Sequence, residues 1–425
     1  MSIKIFQIKR IRPPKLLFHD NKVADTPMNG LNTYGPWDLN ERHFDLLRII
    51  LIYPKNNETD VREFTDLLNK EARILRIKLK EVENIPYEPR SLRSYETVSD
   101  NLCNMLDKLR DKRGIIILQF LAEREEPETS FYIILRRRIY QWPQFTDIPI
   151  QSIILSKWVE SKERVQYIRN LLLAMYTKIG GTPWLLANNA SKLFNNSIFI
   201  GYKIQINTEK PYVVATSFGP TGRHILTAIE DLGTPSNRNI VFRNVLRDIL
   251  SIYKKFYEEP KLIIWHRNGD LGEYEIELIR QITNREIPDA YSYIISFPDD
   301  WSLPLLSKEN SSIKIADSGY YFYAGIQKEA PTFFIQTISP ANLQGKVINM
   351  VKFRIILLTR HLLEKFTWSE IAEDAARQIL YLTRLNWGSI VGLSTLPATM
   401  FYLSKAERFR EMGLKIRFME KLISI

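Results

Sequence analysis

Cysteine is almost absent from this 425-residue chain: Cys103 stands alone, which excludes an internal disulfide framework and a cysteine-based zinc site. Histidine is sparse. His19, His43, His224, His266 and His361 are scattered with no pair at metal-ligand spacing, so they read as structural or surface residues. Long apolar runs are missing as well; uncharged apolar runs such as residues 114–122 are far shorter than the ~20 residues that span a bilayer. The opening MSIKIFQIKRIRPPK has charges spread through it and carries no small-residue cleavage site, so no secretory leader is expected and the cytoplasm is the expected compartment. Repeats and low-complexity tracts are absent. So is a GxGxxG fingerprint, which leaves dinucleotide binding unsupported.

Apolar residues make up 45% of the chain, charged residues 25% and aromatics 12%, the mix of a globular protein with two or three domains. Lys and Arg number 59 against 48 Asp and Glu, a formal charge of +11. That surplus suits a polyanionic partner, because basic side chains on phosphates release counterions. It would equally serve a basic surface that only aids solubility. The Lys- and Ile-rich composition points to an archaeal or thermophilic source.

Residues 1–36 read as a short extended arm ending in the turn-rich NGLNTYGP. Buried strands and amphipathic helices then alternate: a strand at 43–53, a helix over 60–80 and another at 102–110, a strand at 114–121, a helix at 128–140, a strand at 150–155, and a long helix at 161–179 stopped by Gly180–Gly181. Such alternation predicts a Rossmann-like open sheet. After residue 181 the pattern becomes a hairpin (197–206, 211–217), a helix (239–257), a strand (261–266) and a helix (272–282). Strands at 291–297, 320–325 and 332–337 and helices at 370–385 and 404–422 come next, an order that suits an RNase H-like α/β domain.

Tyr132 and Arg136 lie four apart on a predicted helix and so share a face, with Arg137 and Arg138 beside them and Gln151 at the start of the next strand. Phenol, guanidinium and amide donors there suit a terminal phosphate with its base stacked on the tyrosine. A solvated basic helix face with a half-buried tyrosine would show the same spacing. Residues 175–184 (MYTKIGGTPW) put Lys178 in the last turn of a helix before two glycines, a proline and a tryptophan. A lone Lys there can simply answer the helix dipole. The Gly-Gly-x-Pro-Trp exit is rare and predicts a close backbone approach between two domains.

That stretch resembles the K-[LI]-G-G-x-P-W signature at the junction of the MID and PIWI domains of prokaryotic Argonautes. Three other segments resemble family landmarks in the same order: NTYGPW (32–37) the N-Y-G-P motif, WHRNG (265–269) the H-R-D-G strand end, and LTRLNWGSIVGLSTL (382–396) followed by Pro397 and Ala398 the late N-W…L-P segment. The similarity runs from about residue 30 to the C-terminus. It implies an α/β protein with an N-terminal arm (1–36), a Rossmann-like MID domain (37–180) and an RNase H-like PIWI domain (181–425), a length that leaves no room for a PAZ-containing half.

The resemblance also implies roles. The family's 5′-phosphate pocket maps onto Tyr132, Arg136, Gln151 and Lys178, with Arg in place of the usual Lys, a change that keeps the charge. The C-terminal carboxylate, here on Ile425, joins Gln151 in holding Mg²⁺ beside the phosphate in such proteins. Slicing needs carboxylates on two Mg²⁺ ions. Where the family has them, this chain has Lys203, Asn268 and a position near Ser404, so no catalytic residue is expected and the PIWI site reads as dead. Nearby Asp270, Glu273 and Glu275 read as a solvated helix start. Implied partners are a short 5′-phosphorylated guide, RNA by the family's common choice, and a complementary target DNA. A separate protein with an APAZ-like or N-lobe-like region and a downstream toxic effector, acting in defence against plasmids and viruses, complete the set. Two other readings stay open: a guided Mg²⁺ nuclease using displaced carboxylates, and a dimeric DNA-end-binding protein.

Overall fold

The structure is a computed structural model that describes residues 8–39, 46–123, 130–142, 145, 148–206, 208–234, 237–298, 304–309, 312–339, 349–359 and 361–411. The chain divides into two compact units, one of residues 17–184 with 387–390, the other of residues 8–16, 185–386 and 391–411. Among the described residues no helix is long and apolar enough to cross a membrane.

The first unit is built on four parallel strands, β1 (Leu46–Pro54), β2 (Lys78–Tyr87), β3 (Ile115–Leu121) and β4 (Ile150–Ile154), in the order β2-β1-β3-β4. Helices α1 (Glu58–Ile74), α2 (Leu92–Lys108), α3 (Phe131–Tyr140), α4 (Leu155–Glu160) and α5 (Arg164–Lys178) make the crossovers. Every residue of β3 is buried, as a parallel strand covered on both faces must be. One face packs Tyr95 and Leu102 of α2 and Phe131 and Leu135 of α3 against Ile50 and Ile117. On α1, Phe64 meets Phe120 and Trp158 edge-on, both at 5.0 Å between centroids. The Rossmann-like expectation holds.

Helix α1 stops earlier than its periodicity suggests, and residues 78–80 belong to a strand. The reason is Arg76, which takes φ +60° at the position after a helix where glycine is usual. Ile77 N–H then closes back on Ala72 O at 2.8 Å, the bond that ends a helix in this motif. With no glycine to mark the stop, the pattern runs on. The stretch read as an extended arm also differs: it holds a two-residue strand, Lys9–Arg10, and a helix, Pro27–Tyr34, capped by the Thr26 hydroxyl.

The second unit carries a nine-stranded sheet. Strands β5 (Ser197–Gln205), β6 (Tyr212–Phe218) and β7 (His224–Asp231) form an antiparallel meander. β8 (Leu262–Asn268) lies parallel to β5, and β9 (Tyr291–Phe297) parallel to β8. β10 (Tyr320–Gln327), β11 (Ala330–Ile335) and β12 (Val351–Leu357) continue it, giving the order [Lys9–Arg10]-β10-β11-β12-β9-β8-β5-β6-β7. The run β7-β6-β5-β8-β9 is an RNase H-like order, the domain type that the sequence pattern suggested, with β7 a strand it did not foresee. Helices α6 (Arg238–Tyr253) and α7 (Glu273–Glu286) cover one face, where Trp265, Tyr202 and Phe242 pack together. Helices α8 (Trp368–Leu382) and α9 (Ala398–Glu411) complete the unit.

A non-glycine residue in the left-handed region lowers stability relative to glycine. Arg76→Gly is therefore expected to stabilise the protein by about 0.5–1 kcal/mol, read as a rise in the urea midpoint at unchanged slope.

Candidate nucleic-acid interface

The spacing of Tyr132 and Arg136 puts both on one face of α3, which Phe131 anchors by stacking on Tyr95 at 4.5 Å. The Arg136 guanidinium lies over the Tyr132 ring at 4.4 Å. Arg136 is buried, 3% exposed, and its Nη2 donates to Ile150 O at 3.1 Å. Lys178, 7% exposed, reaches the same oxygen: its Nζ donates to Ile150 O at 3.1 Å and to Gln151 Oε1 at 2.7 Å. Gln151 Nε2 donates onward to Ser152 O. The four residues singled out from sequence thus meet at the start of β4. Arg137 and Arg138 do not join them; both are exposed, and Arg138 pairs with Asp100 at 2.6 Å.

Lys178 is the last residue of α5, and the two glycines after it fix its position. Gly180 takes φ +100°, and Gly181 N–H bonds back to Tyr176 O at 2.9 Å, a left-handed cap that closes the helix. A Cβ on Gly181 would sit 2.4 Å from the Tyr176 ring, so the close approach expected there is to its own helix. The Tyr176 hydroxyl donates to Asp38 Oδ1 and Thr182 N–H to Asp38 Oδ2, each at 2.6 Å, while Trp37 N–H reaches Pro183 O at 2.9 Å. The NTYGPW and KIGGTPW segments are therefore clasped through buried Asp38. Sequence reading missed Asp38, although it directly follows the first motif.

Two positive charges converging on one carbonyl oxygen form a cradle for an anion. A divalent ion is less well served. Gln151 Oε1 already accepts from the Lys178 ammonium, and Ile425, the other expected ligand, lies outside the described residues. Among the described residues no three His, Cys, Asp or Glu side chains come together as metal ligands. The described residues alone do not make an Mg²⁺ site.

In the second unit Lys203 sits near the end of β5, and its Nζ pairs with Glu407 Oε1 of α9 at 2.6 Å. The Tyr212 hydroxyl donates to the same oxygen at 2.6 Å. Asn268 ends β8 beside Phe297, and the exposed Ser404 Oγ donates to Phe401 O at 2.9 Å. Of the acids after β8, Glu273 is exposed as expected, whereas Asp270 and Glu275 are ion-paired, contrary to expectation. Asp270 pairs with buried Arg354 at 2.6 Å and with Lys328, which hold its carboxyl below the usual range. Glu275, 13% exposed, pairs with Arg267 at 2.7 Å. His266 is fully buried, its Nδ1 at 2.6 Å from Thr399 Oγ1, and burial pushes its pKa down to about 3.

Residues 117–297 match the Piwi domain. Among solved structures the chain is similar to Clostridium butyricum Argonaute bound to a guide DNA and a 19-mer target DNA, with TM-score 0.72 and 16% identity over 99% of this chain and 55% of that one. It is also similar to Drosophila Piwi (TM-score 0.70, 13% identity, 94% of this chain and 53% of that one) and to A. aeolicus Argonaute (TM-score 0.64, 16% identity, 99% and 56%). The chain spans about half the length of these structures and shares their fold. No curated protein sequence matches it.

The buried neutral imidazole makes stability depend on acid. Its folded pKa lies below the unfolded value, so the unfolded chain binds more protons as pH falls below about 6.5 and stability is lost toward the folded value of about 3. At pH 5 this group alone is expected to cost about 2 kcal/mol relative to pH 8. His266→Gln should flatten that part of the profile of urea midpoint against pH.

Proposed function

We propose that this protein holds the 5′-phosphorylated end of a short guide strand and pairs the guide with a complementary target without cutting it. The observation that carries this reading is the pair of buried cations, Arg136 and Lys178, on Ile150 O beside the Tyr132 ring. A terminal phosphate would draw charge-assisted hydrogen bonds from both cations and from the Gln151 amide, and the first base would stack on Tyr132. A pre-ordered guide loses less entropy on pairing. Sequence is then read by base pairing, while the protein senses backbone and shape. RNA as guide and DNA as target follow the family resemblance.

The silent PIWI site rests on charge. Two-metal hydrolysis requires carboxylates that gather Mg²⁺ and steady the leaving oxygen. Lys203 brings an ammonium that repels the ion and binds Glu407, the nearby carboxylate on α9. Asn268 and Ser404 are neutral, and Asp270 and Glu275 are tied to arginines. A protein that recognises without cutting needs an output. We assign that to a separate partner with an APAZ-like or N-lobe-like region and a toxic effector, acting in defence. The Mg²⁺ expected beside the phosphate would take its negative oxygens from the phosphate and from the Ile425 carboxylate.

Lys178→Ala is expected to weaken binding of a 5′-phosphorylated strand roughly 10- to 100-fold and to leave binding of the same strand with a 5′-hydroxyl unchanged. Equal losses on both strands would sink the end-pocket reading. A matched target should stay intact in Mg²⁺ or Mn²⁺, and guide-dependent cleavage would overturn the silent site.

A further inference from the structure

The NTYGPW motif has a second consequence in the first unit, at the helix stop that the sequence did not signal. Arg76 leaves α1 in the left-handed region, and its stem lies over Gly35, which itself takes φ +82°. A Cβ on Gly35 would sit 3.2 Å from both Arg76 Cδ and Leu39 Cδ2, so the glycine makes room for these two side chains. Together they wall a groove of about 530 Å³. Its rim carries Arg73, Arg76 and Lys78, all exposed, and its apolar floor includes Ile77 and Leu79. Among the described residues no acidic one lines it.

Of the acids of α1, Glu58 pairs with Arg62, Glu63 with Arg164 and Glu71 with Arg169, Asp60 accepts from Asn57 Nδ2, and Asp66 lies outside the groove lining. Among the described residues Arg73, Arg76 and Lys78 form no ion pair. Three unanswered cations above an apolar floor match a nucleotide, with phosphates on the rim and a base or sugar on the floor. The backbone strain at Arg76, which a glycine would relieve, is the kind that persists where a side chain must be held in place.

We propose that this groove binds the phosphodiester backbone of a nucleic-acid strand at a distance from its 5′ end. The proposal rests on the nucleic-acid reading above and adds a contact that reads no end chemistry. Lys78 and Ile150 open strands at opposite edges of one parallel sheet, on the order of 20 Å apart by strand spacing and register. Only a strand long enough to reach from one to the other would engage both.

The test uses the full chain and fluorescent single strands of one sequence, as RNA and as DNA, each with a 5′-phosphate or a 5′-hydroxyl, titrated over a range of salt. The triple variant Arg73→Gln/Arg76→Gln/Lys78→Gln changes exposed side chains. It should lose affinity roughly 10-fold for both end chemistries, with the slope of log K against log salt smaller by about 2. Gly35→Ala, which displaces Arg76 without removing charge, should weaken binding in the same sense and less. Unchanged affinity and slope would overturn the proposal, as would a loss confined to 5′-phosphorylated strands. Free ATP that competes as well as a strand of equal phosphate concentration would also overturn it. A wild type with no preference for the 5′-phosphate would sink the end pocket alone and leave this slope test standing.

Discussion

Two buried cations share one backbone oxygen, and much of the first unit is arranged to bring them there. Arg136 arrives from α3, held by the stacking of Phe131 on Tyr95. Lys178 arrives from the end of α5, and it can do so only because Gly180 and Gly181 close the helix immediately after it. Asp38 then ties the glycine segment to the chain before β1, through Tyr176 and Thr182. Like charges kept close in a poorly solvated place are costly unless an anion completes them.

The second unit shows the opposite arrangement. An RNase H-like sheet ordinarily places acids at the ends of its central strands, and here a lysine stands at one of them, locked to Glu407 and Tyr212. The nearby acids are paired with arginines, and the histidine of the WHRNG segment is buried and neutral. The result is a cluster in which the lysine, two of the acids and the histidine each have a partner within the unit.

The architecture was legible because strand–helix alternation and the meander leave strong periodic signals, and the Tyr132–Arg136 pair because helical spacing is simple. Gln151 could be set beside that pair as the start of the next strand, but Lys178 was reached only through the family resemblance, since nothing in local spacing brings residue 178 to residue 150. Illegible features share a cause: they depend on tertiary partners. Residues 78–80 looked helical because Arg76 does a glycine's work at the end of α1. Strands β7 and β12 escaped notice beside stronger neighbours. Asp38 and Glu407 look like ordinary surface acids until the fold sets Tyr176 against one and Lys203 against the other. The pairing of Glu275 with Arg267, eight residues earlier, is likewise invisible until strand and helix are packed.

The most direct test of the guide-holding role is made on nucleic acid that co-purifies with the protein. It is extracted, one half is treated with phosphatase, and the 5′ ends of both halves are labelled before digestion with RNase or DNase. The predicted result is short, uniform strands that accept label only after dephosphorylation, with RNase sensitivity marking them as RNA. Heterogeneous fragments that wash away with salt and label equally in both halves would contradict it, leaving a basic protein that binds polyanions without regard to their ends.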